Sequence, residues 1–166
     1  MKKIALAAAI IAISTSAQAY DQDTIAGGLG YVEVFGDVNN AIEANVEYRS
    51  AAYAPEQFFG ISNVSWMAGV EVDTNSSAYA YAGLLYDYPI TENWSITPSV
   101  AAGLYRQGEG KDLGGAFEFK DTIEVNYKLT PDSRVGLALS HKSSAGINDR
   151  NPGTETLQVV YSQTIQ

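Results

Sequence analysis

Residues 117–127 read FEFKDTIEVNY, and this stretch decides the fold. Large apolar side chains recur at nearly every second position, and the positions between them are polar or charged. A period of two places the two sets on opposite faces of a β-strand. One face is therefore apolar, and the other contains Glu118, Lys120 and Glu124. Asp121 is an exception, because it places a carboxylate on the apolar face.

The same alternation recurs along the chain in segments separated by turn-forming residues, such as Thr130-Pro131-Asp132. In the segment at 41–50, for example, Ile42 and Val46 share one face, whereas Glu43 and Glu47 share the other. Eleven tyrosines and two tryptophans also favour strands over helices. We predict eight strands, at roughly 24–35, 41–50, 62–73, 77–87, 93–106, 116–129, 133–144 and 154–165.

Eight strands with one apolar face each fit a closed barrel, whose apolar face points either into a soluble core or out into lipid. Strands of about 10 to 13 residues are long enough to span a membrane when tilted. The polar faces contain both signs of charge, as a lumen filled with ion pairs requires. Four aromatic residues suit the membrane interfaces: Tyr48, Trp66, Trp94 and Tyr127. We therefore predict an all-β fold, an eight-stranded antiparallel up-and-down transmembrane β-barrel.

The first 19 residues have the pattern of a secretory signal peptide. Lys2 and Lys3 precede a short apolar run, and the small residues Ala17 and Ala19 predict cleavage before Tyr20. We divide the chain into a signal peptide, residues 1–19, and an outer-membrane β-barrel, residues 20–166. No mature segment resembles a transmembrane helix, so membrane insertion requires a closed barrel.

The composition argues against several kinds of partner. The formal net charge of -9 disfavours nucleic acid. The chain has one histidine and no cysteine, which leaves no cluster of metal ligands and no disulfide. We therefore expect neither a metal nor a cofactor.

The last two predicted strands bring three reactive side chains together near one end. His141 and Ser143 share the face of Leu139 on the seventh strand, and Glu155 shares the face of Leu157 on the eighth. Opposed Cβ atoms on neighbouring strands lie about 5 Å apart, so the imidazole can reach both partners. A serine hydroxyl needs a base to take its proton, and a carboxylate orients such a base.

Each of these residues also has an ordinary interpretation. A histidine at a strand end is commonly an interfacial polar residue, Ser143 is then a loop serine, and Glu155 is a charge at the start of a strand. However, ionisable groups on a lipid-facing surface are costly and are usually functional. On this consideration a catalytic site and the ordinary interpretation are about equally supported.

The stretch 141–155 resembles the signature of the lipid A 3-O-deacylase family, in which a His-x-Ser-Asn-Ala-Gly run precedes an Asn-Pro-Gly-x-Glu run. Here the runs read HKSSAG, residues 141–146, and NPGTE, residues 151–155. The segments 117–120 and 134–138 are also similar to that family. Ser144 departs from the pattern, because the family usually has asparagine at this position.

The resemblance implies an esterase in the outer membrane of a Gram-negative bacterium, acting on lipid A of lipopolysaccharide. Ser143 is then the nucleophile, which attacks the ester at position 3 of the lipid A glucosamine and releases the 3-hydroxyacyl chain. His141 is then the base, and Glu155 orients it.

The resemblance also suggests donors for the oxyanion hole. Asn151 matches an asparagine proposed for this role in the family, and its alternative is a turn residue before Pro152. Further candidates are the backbone amides of Ser144, Ala145 and Gly146. The alternative for Gly146 is a glycine that only allows the turn.

Two other functions stay open on the sequence. One is a non-catalytic small outer-membrane barrel for envelope integrity or adhesion. The other is a soluble periplasmic carrier of lipocalin type, which requires the apolar faces to point inward. The oligomeric state is also open, a homodimer included.

Overall fold

The computed structural model describes residues 22–36, 39–53 and 59–165. The strands within these residues are β1 Thr24–Val32, β2 Ala41–Arg49, β3 Val64–Asp73, β4 Ala78–Tyr86, β5 Tyr88–Pro89, β6 Trp94–Arg106, β7 Phe117–Thr130, β8 Ser133–Ser143 and β9 Thr154–Thr164. The eight predicted strands are confirmed. The additional strand, β5, pairs with β6 in the same register as β4, so it continues β4 beyond Asp87. The predicted signal peptide, residues 1–19, lies outside the described residues.

The eight long strands form a closed antiparallel sheet. Their order is β4-β3-β2-β1-β9-β8-β7-β6, and pairing of β4 with β6 closes the barrel. The start of β1 and the end of β9 lie at one end, which we call the termini end. The loop end is the opposite end, where residues 33–40, 74–77, 107–116 and 144–153 connect the strands. No helix in the part of the chain that the structure describes is long and apolar enough for a membrane crossing.

The alternation in sequence becomes an apolar outer wall and a polar lumen. On β2, Ile42 and Val46 are exposed on the outside, whereas Glu43 and Glu47 are buried inside. The same outward exposure holds around the wall for Leu29, Val70, Val72, Val100, Leu104, Ile123, Leu137 and Val159. This distribution is typical of a membrane barrel and is the reverse of that in a soluble carrier.

Ion pairs across the lumen join several of the buried charges. The guanidinium of Arg49 (β2) bonds Glu47 at 2.7 Å and Glu124 (β7) at 2.8 Å. Lys142 on β8 reaches Glu71 on β3 at 2.7 Å, and Lys120 on β7 bonds the same carboxylate. Burying a charge costs much less free energy when it is paired in this way; Glu118 is the exception, because its buried carboxylate has no hydrogen-bond partner among the described residues. These bonds therefore tie strands β7 and β8 to the opposite wall.

The four aromatic residues predicted for the interfaces form two pairs on the outer wall. Tyr48 packs against Trp66 with ring centroids 4.9 Å apart, and Trp94 packs against Tyr127 at the same distance. Both pairs lie near the termini end, because Tyr48 and Tyr127 end their strands there and Trp66 and Trp94 begin theirs. They suit one of the two aromatic belts of a membrane barrel.

Candidate active site

His141 and Ser143 lie on the outer wall at the loop end of β8. Both are partly exposed, whereas Lys142 between them is buried in the lumen. Residues two apart on a strand share a face and are about 7 Å apart. The imidazole and the hydroxyl therefore face the same side of the wall, although no hydrogen bond joins them among the described residues.

Glu155 on β9 is the direct cross-strand partner of His141. Its Oε1 lies 3.0 Å from Nδ1 of the imidazole. The side chain of Glu155 is 32% exposed, and that of His141 is 44% exposed. An ionised carboxylate only accepts hydrogen bonds, so this contact assigns the ring proton to Nδ1. The remaining nitrogen, Nε2, is then free of a proton and can act as a base.

Gly153 lies against the imidazole on the loop side. The sequence alone did not indicate this contact. A Cβ atom on Gly153 would lie 2.6 Å from Cε1 of His141, closer than such atoms approach one another. Its φ of +68° is also in the region that favours glycine. The glycine of the NPGTE run is therefore required both for the backbone turn and for the space that the ring occupies.

The loop 144–153 folds over the end of β8 and brings Asn151 to Ser144. Ala145 and Gly146 have φ values of +53° and +82°, which turn the chain back after the strand. The backbone N–H of Ser144 donates to Oδ1 of Asn151 at 2.9 Å. In this arrangement the Ser144 amide is already engaged. The amide nitrogen of Asn151 and the backbone N–H groups of Ala145 and Gly146 have no partner among the described residues and remain as candidates for the oxyanion hole.

The side chain of Ser144 is fully buried, and its hydroxyl has no partner among the described residues. Where the family usually has asparagine, this chain therefore buries a small hydroxyl beside the Asn151 contact.

Asp121 on β7 is the cross-strand partner of His141 on the other side. It is exposed on the outer wall. The register therefore creates a row of three ionisable groups, Asp121, His141 and Glu155, across three strands. The alternation of the sequence marks Asp121 as an exception on the apolar face but does not connect it with His141. The missing information was the register of the β7–β8 hairpin.

Comparison with known proteins identifies a family for this chain. The sequence pattern of the family described as "Lipid A 3-O-deacylase (PagL)" matches residues 43–164. A segment of 52 residues is 46% identical to "Lipid A deacylase PagL" of Bordetella bronchiseptica, which is 31% of this chain and 29% of that relative. The alignment thus spans less than a third of the relative's length.

Solved structures support the fold. The crystal structure of the outer membrane enzyme PagL superposes with a TM-score of 0.66 at 16% identity, covering 86% of this chain and 99% of that chain. Neisserial surface protein A gives a TM-score of 0.58 at 11% identity, covering 86% and 96%. At these identities the likeness concerns the barrel alone. Because the family pattern extends over most of the barrel and includes all three outward-facing site residues, this chain belongs to the lipid A 3-O-deacylase (PagL) family.

Proposed function

We propose that this chain is an outer-membrane esterase that removes the 3-O-linked 3-hydroxyacyl chain of lipid A. The proposal is supported by membership of a family described by that reaction. The single observation on which it depends is the hydrogen bond between His141 Nδ1 and Glu155 Oε1 on the outer wall, with Ser143 on the same face. A base held in its active tautomer beside a hydroxyl is the arrangement that acyl transfer requires.

In the proposed reaction, Ser143 Oγ attacks the carbonyl carbon of the ester at position 3 while Nε2 of His141 takes the hydroxyl proton. The tetrahedral intermediate collapses, the bond from carbon to the sugar oxygen breaks, and the imidazolium returns the proton to that oxygen. Water, deprotonated by the same nitrogen, then attacks the acyl-serine; the bond from carbon to Ser143 Oγ breaks, the imidazolium returns the proton to Oγ, and a 3-hydroxy fatty acid is released. The proposed reaction requires a hydrogen bond from Ser143 to Nε2 of His141 to form when substrate binds, as is common for catalytic contacts.

The negative oxygen of the tetrahedral intermediate needs donors aimed at it. The amide nitrogen of Asn151 is the proposed side-chain donor, since its oxygen is fixed by the Ser144 amide. The backbone N–H groups of Ala145 and Gly146 are the proposed backbone donors. One well-placed donor of this kind lowers the barrier by about 3 kcal/mol.

A site on the outer wall suits a substrate that stays in the bilayer. Lipid A would diffuse laterally to the barrel, so that its acyl chains lie along the apolar wall and its sugars lie at the loop end. We infer a location in the outer membrane of a Gram-negative bacterium, after cleavage of the signal peptide near Ala19. All three proposed catalytic side chains belong to one chain, so the chemistry does not require a homodimer.

The test is to express the natural chain and its Ser143→Ala variant in a Gram-negative host and to analyse lipid A by mass spectrometry. We expect the natural chain to remove one 3-hydroxyacyl group, and the variant to lose activity by about 10^4-fold or more. Ser140→Ala is the matched control, because it makes the same change on the same strand but faces the lumen. It should trim lipid A like the natural chain.

Two results would contradict the proposal in different ways. Trimmed lipid A in cells with the Ser143→Ala variant would reject Ser143 as the nucleophile. Unmodified lipid A in cells with the natural chain, recovered folded from the outer membrane, would favour the non-catalytic barrel instead.

A further inference from the structure

The loop 107–116 joins β6 to β7. Two consecutive residues of opposite charge in this loop form ion pairs on two sides of the candidate site. Lys111 bonds Glu33, beyond the end of β1, and Asp112 bonds Arg150 in the loop before β9. Leu113, the next residue, is fully buried. The loop therefore crosses the mouth of the barrel and is held at both sides.

The first contact leads to Glu155. The Nζ atom of Lys111 lies 2.8 and 2.9 Å from the two carboxylate oxygens of Glu33. Glu33 has a φ of +61°, unusual for a residue with a side chain, and its carboxylate is buried. The backbone N–H of Glu33 donates to the carbonyl oxygen of Glu155 at 2.7 Å. The ion pair with Lys111 thus fixes the residue that holds the backbone of Glu155.

The second contact leads to Asn151. Oδ2 of Asp112 lies 2.6 Å from Nη1 of Arg150, the residue that precedes Asn151. Gly114 lies so close to Arg150 that a Cβ atom would approach its carbonyl oxygen to 2.1 Å. The backbone N–H of Gly114 donates to Oδ1 of Asp112, and this hydrogen bond holds the pKa of that carboxyl below its usual range. Asp112 is therefore ionised at neutral pH and can pair with Arg150.

We propose that Asp112 is a positioning residue for the deacylase site, acting through Arg150 to hold Asn151 where it meets the Ser144 amide and the oxyanion. The inference rests on the proposed function, since it assigns a role within that reaction. Asp112 touches no reacting atom in this scheme. Its effect is on a donor that acts in the transition state, so its loss lowers kcat and leaves substrate binding unchanged.

The test uses purified full-length barrels in detergent with lipid A as substrate, comparing Asp112→Ala, Arg150→Ala and the double variant. We expect each single variant to lower kcat about tenfold with KM changed less than about twofold. The double variant should be no worse than either single one, because both changes interrupt the same connection. Glu109→Gln is the matched control: it removes a negative charge from the same loop, but the side chain has no partner among the described residues, and kcat should not change.

A second measurement does not depend on activity. The Ser144 amide donates to Asn151, so its protection from hydrogen exchange reports the position of that side chain. We expect amide exchange at Ser144, followed by NMR in detergent micelles, to be faster in Asp112→Ala than in the natural chain and in Glu109→Gln.

The possible failures are distinguishable. If the natural chain does not deacylate lipid A, the proposed function is wrong, and faster exchange at Ser144 still supports the positioning role. If Ser144 exchange is unchanged in Asp112→Ala, the inference is wrong whatever the activity. An increase in KM with constant kcat would also overturn it, because that result indicates contact of Arg150 with the lipid headgroup. If Asp112→Ala lowers the melting temperature but leaves kcat and Ser144 exchange unchanged, the contact between Asp112 and Arg150 has only a structural role, and the inference is wrong as well.

Discussion

Strands β7 and β8 carry ionisable side chains on both faces, and these side chains differ in burial and in pairing between the two faces. Inside the barrel, Lys120 and Lys142 are buried and share the carboxylate of Glu71 on the opposite wall. Outside, Asp121 is exposed, and the imidazole of His141 has one hydrogen bond among the described residues, to Glu155. Neighbouring residues such as Lys120 and Asp121, or Lys142 and His141, thus alternate between buried charges with ion-pair partners and exposed groups with free hydrogen-bonding capacity.

Because of this difference, we expect the inner groups to determine the stability of the barrel and the outer groups to determine its activity. A buried charge that loses its partner keeps the cost of its desolvation, so the ion pairs of the inner groups stabilise the barrel. The outer groups are partly exposed, and removing one of them costs little folding free energy. Under the proposed function, their unpaired atoms, such as Nε2 of His141, are the ones that exchange protons with the substrate. We expect substitutions on the two faces to have opposite effects on stability and activity.

The largest effect on stability is expected for Glu71→Gln, compared with Glu155→Gln on the outer face. Glu71→Gln leaves two buried ammonium groups without their shared anion, and the free energy of unfolding should fall by about 3 kcal/mol. Deacylation by the barrels that remain folded should be nearly normal. Glu155→Gln should show the reverse: unchanged stability and a kcat lower by about 10^3-fold or more, because the imidazole loses its orienting charge.

Urea unfolding in lipid vesicles, followed by tryptophan fluorescence, measures the first property, and lipid A hydrolysis measures the second. A loss of activity in folded Glu71→Gln barrels as large as that in Glu155→Gln would show that the lumen takes part in the chemistry. The comparison of the two faces would then fail.

Gly153→Ala tests how tightly the outer site is built. The added Cβ atom displaces the imidazole ring, since its distance to Cε1 would be 2.6 Å. A displacement of this kind lowers kcat by about 10- to 100-fold. Gly60→Ala is the matched control, because Gly60 also has a positive φ, +83°, but has no atom within 4 Å of the added carbon. It should share the strain and keep full activity; equal losses in both variants would mean that strain alone is responsible.

The barrel could be predicted from the sequence because its signal is local. Alternation within one strand determines which residues lie on each face. It can be seen within a single stretch, such as residues 117–127, without knowledge of any other strand. The positions of His141 and Ser143 on the outer wall followed from the same rule. The spacing of the motif was sufficient to select Glu155 as the partner of His141.

The remaining contacts of the site depend on register and loop geometry, which the sequence does not state. The β7–β8 pairing shifts by one residue between Lys128 and Thr130, beside the turn. A shift of one residue moves side chains to the opposite face, so the turn length alone could not pair Asp121 with His141. The contacts of Gly153 and Arg150 likewise depend on how two separate loops pack, which only the folded chain defines.

The smallest effect is expected for Asp121→Asn. Asp121 is the neighbour of His141 on β7, on the side opposite to Glu155. Its side chain makes no hydrogen bond among the described residues. Only its charge can therefore act on the imidazolium that forms in the transition state. Losing a partly exposed charge should lower kcat about three- to tenfold, whereas Asp132→Asn, an exposed change at the termini end, should have no effect. Kinetics of lipid A hydrolysis by the two variants decide the matter. A loss equal to that in Glu155→Gln would mean that the imidazole also turns toward β7 during catalysis and that Asp121 orients the base as much as Glu155 does.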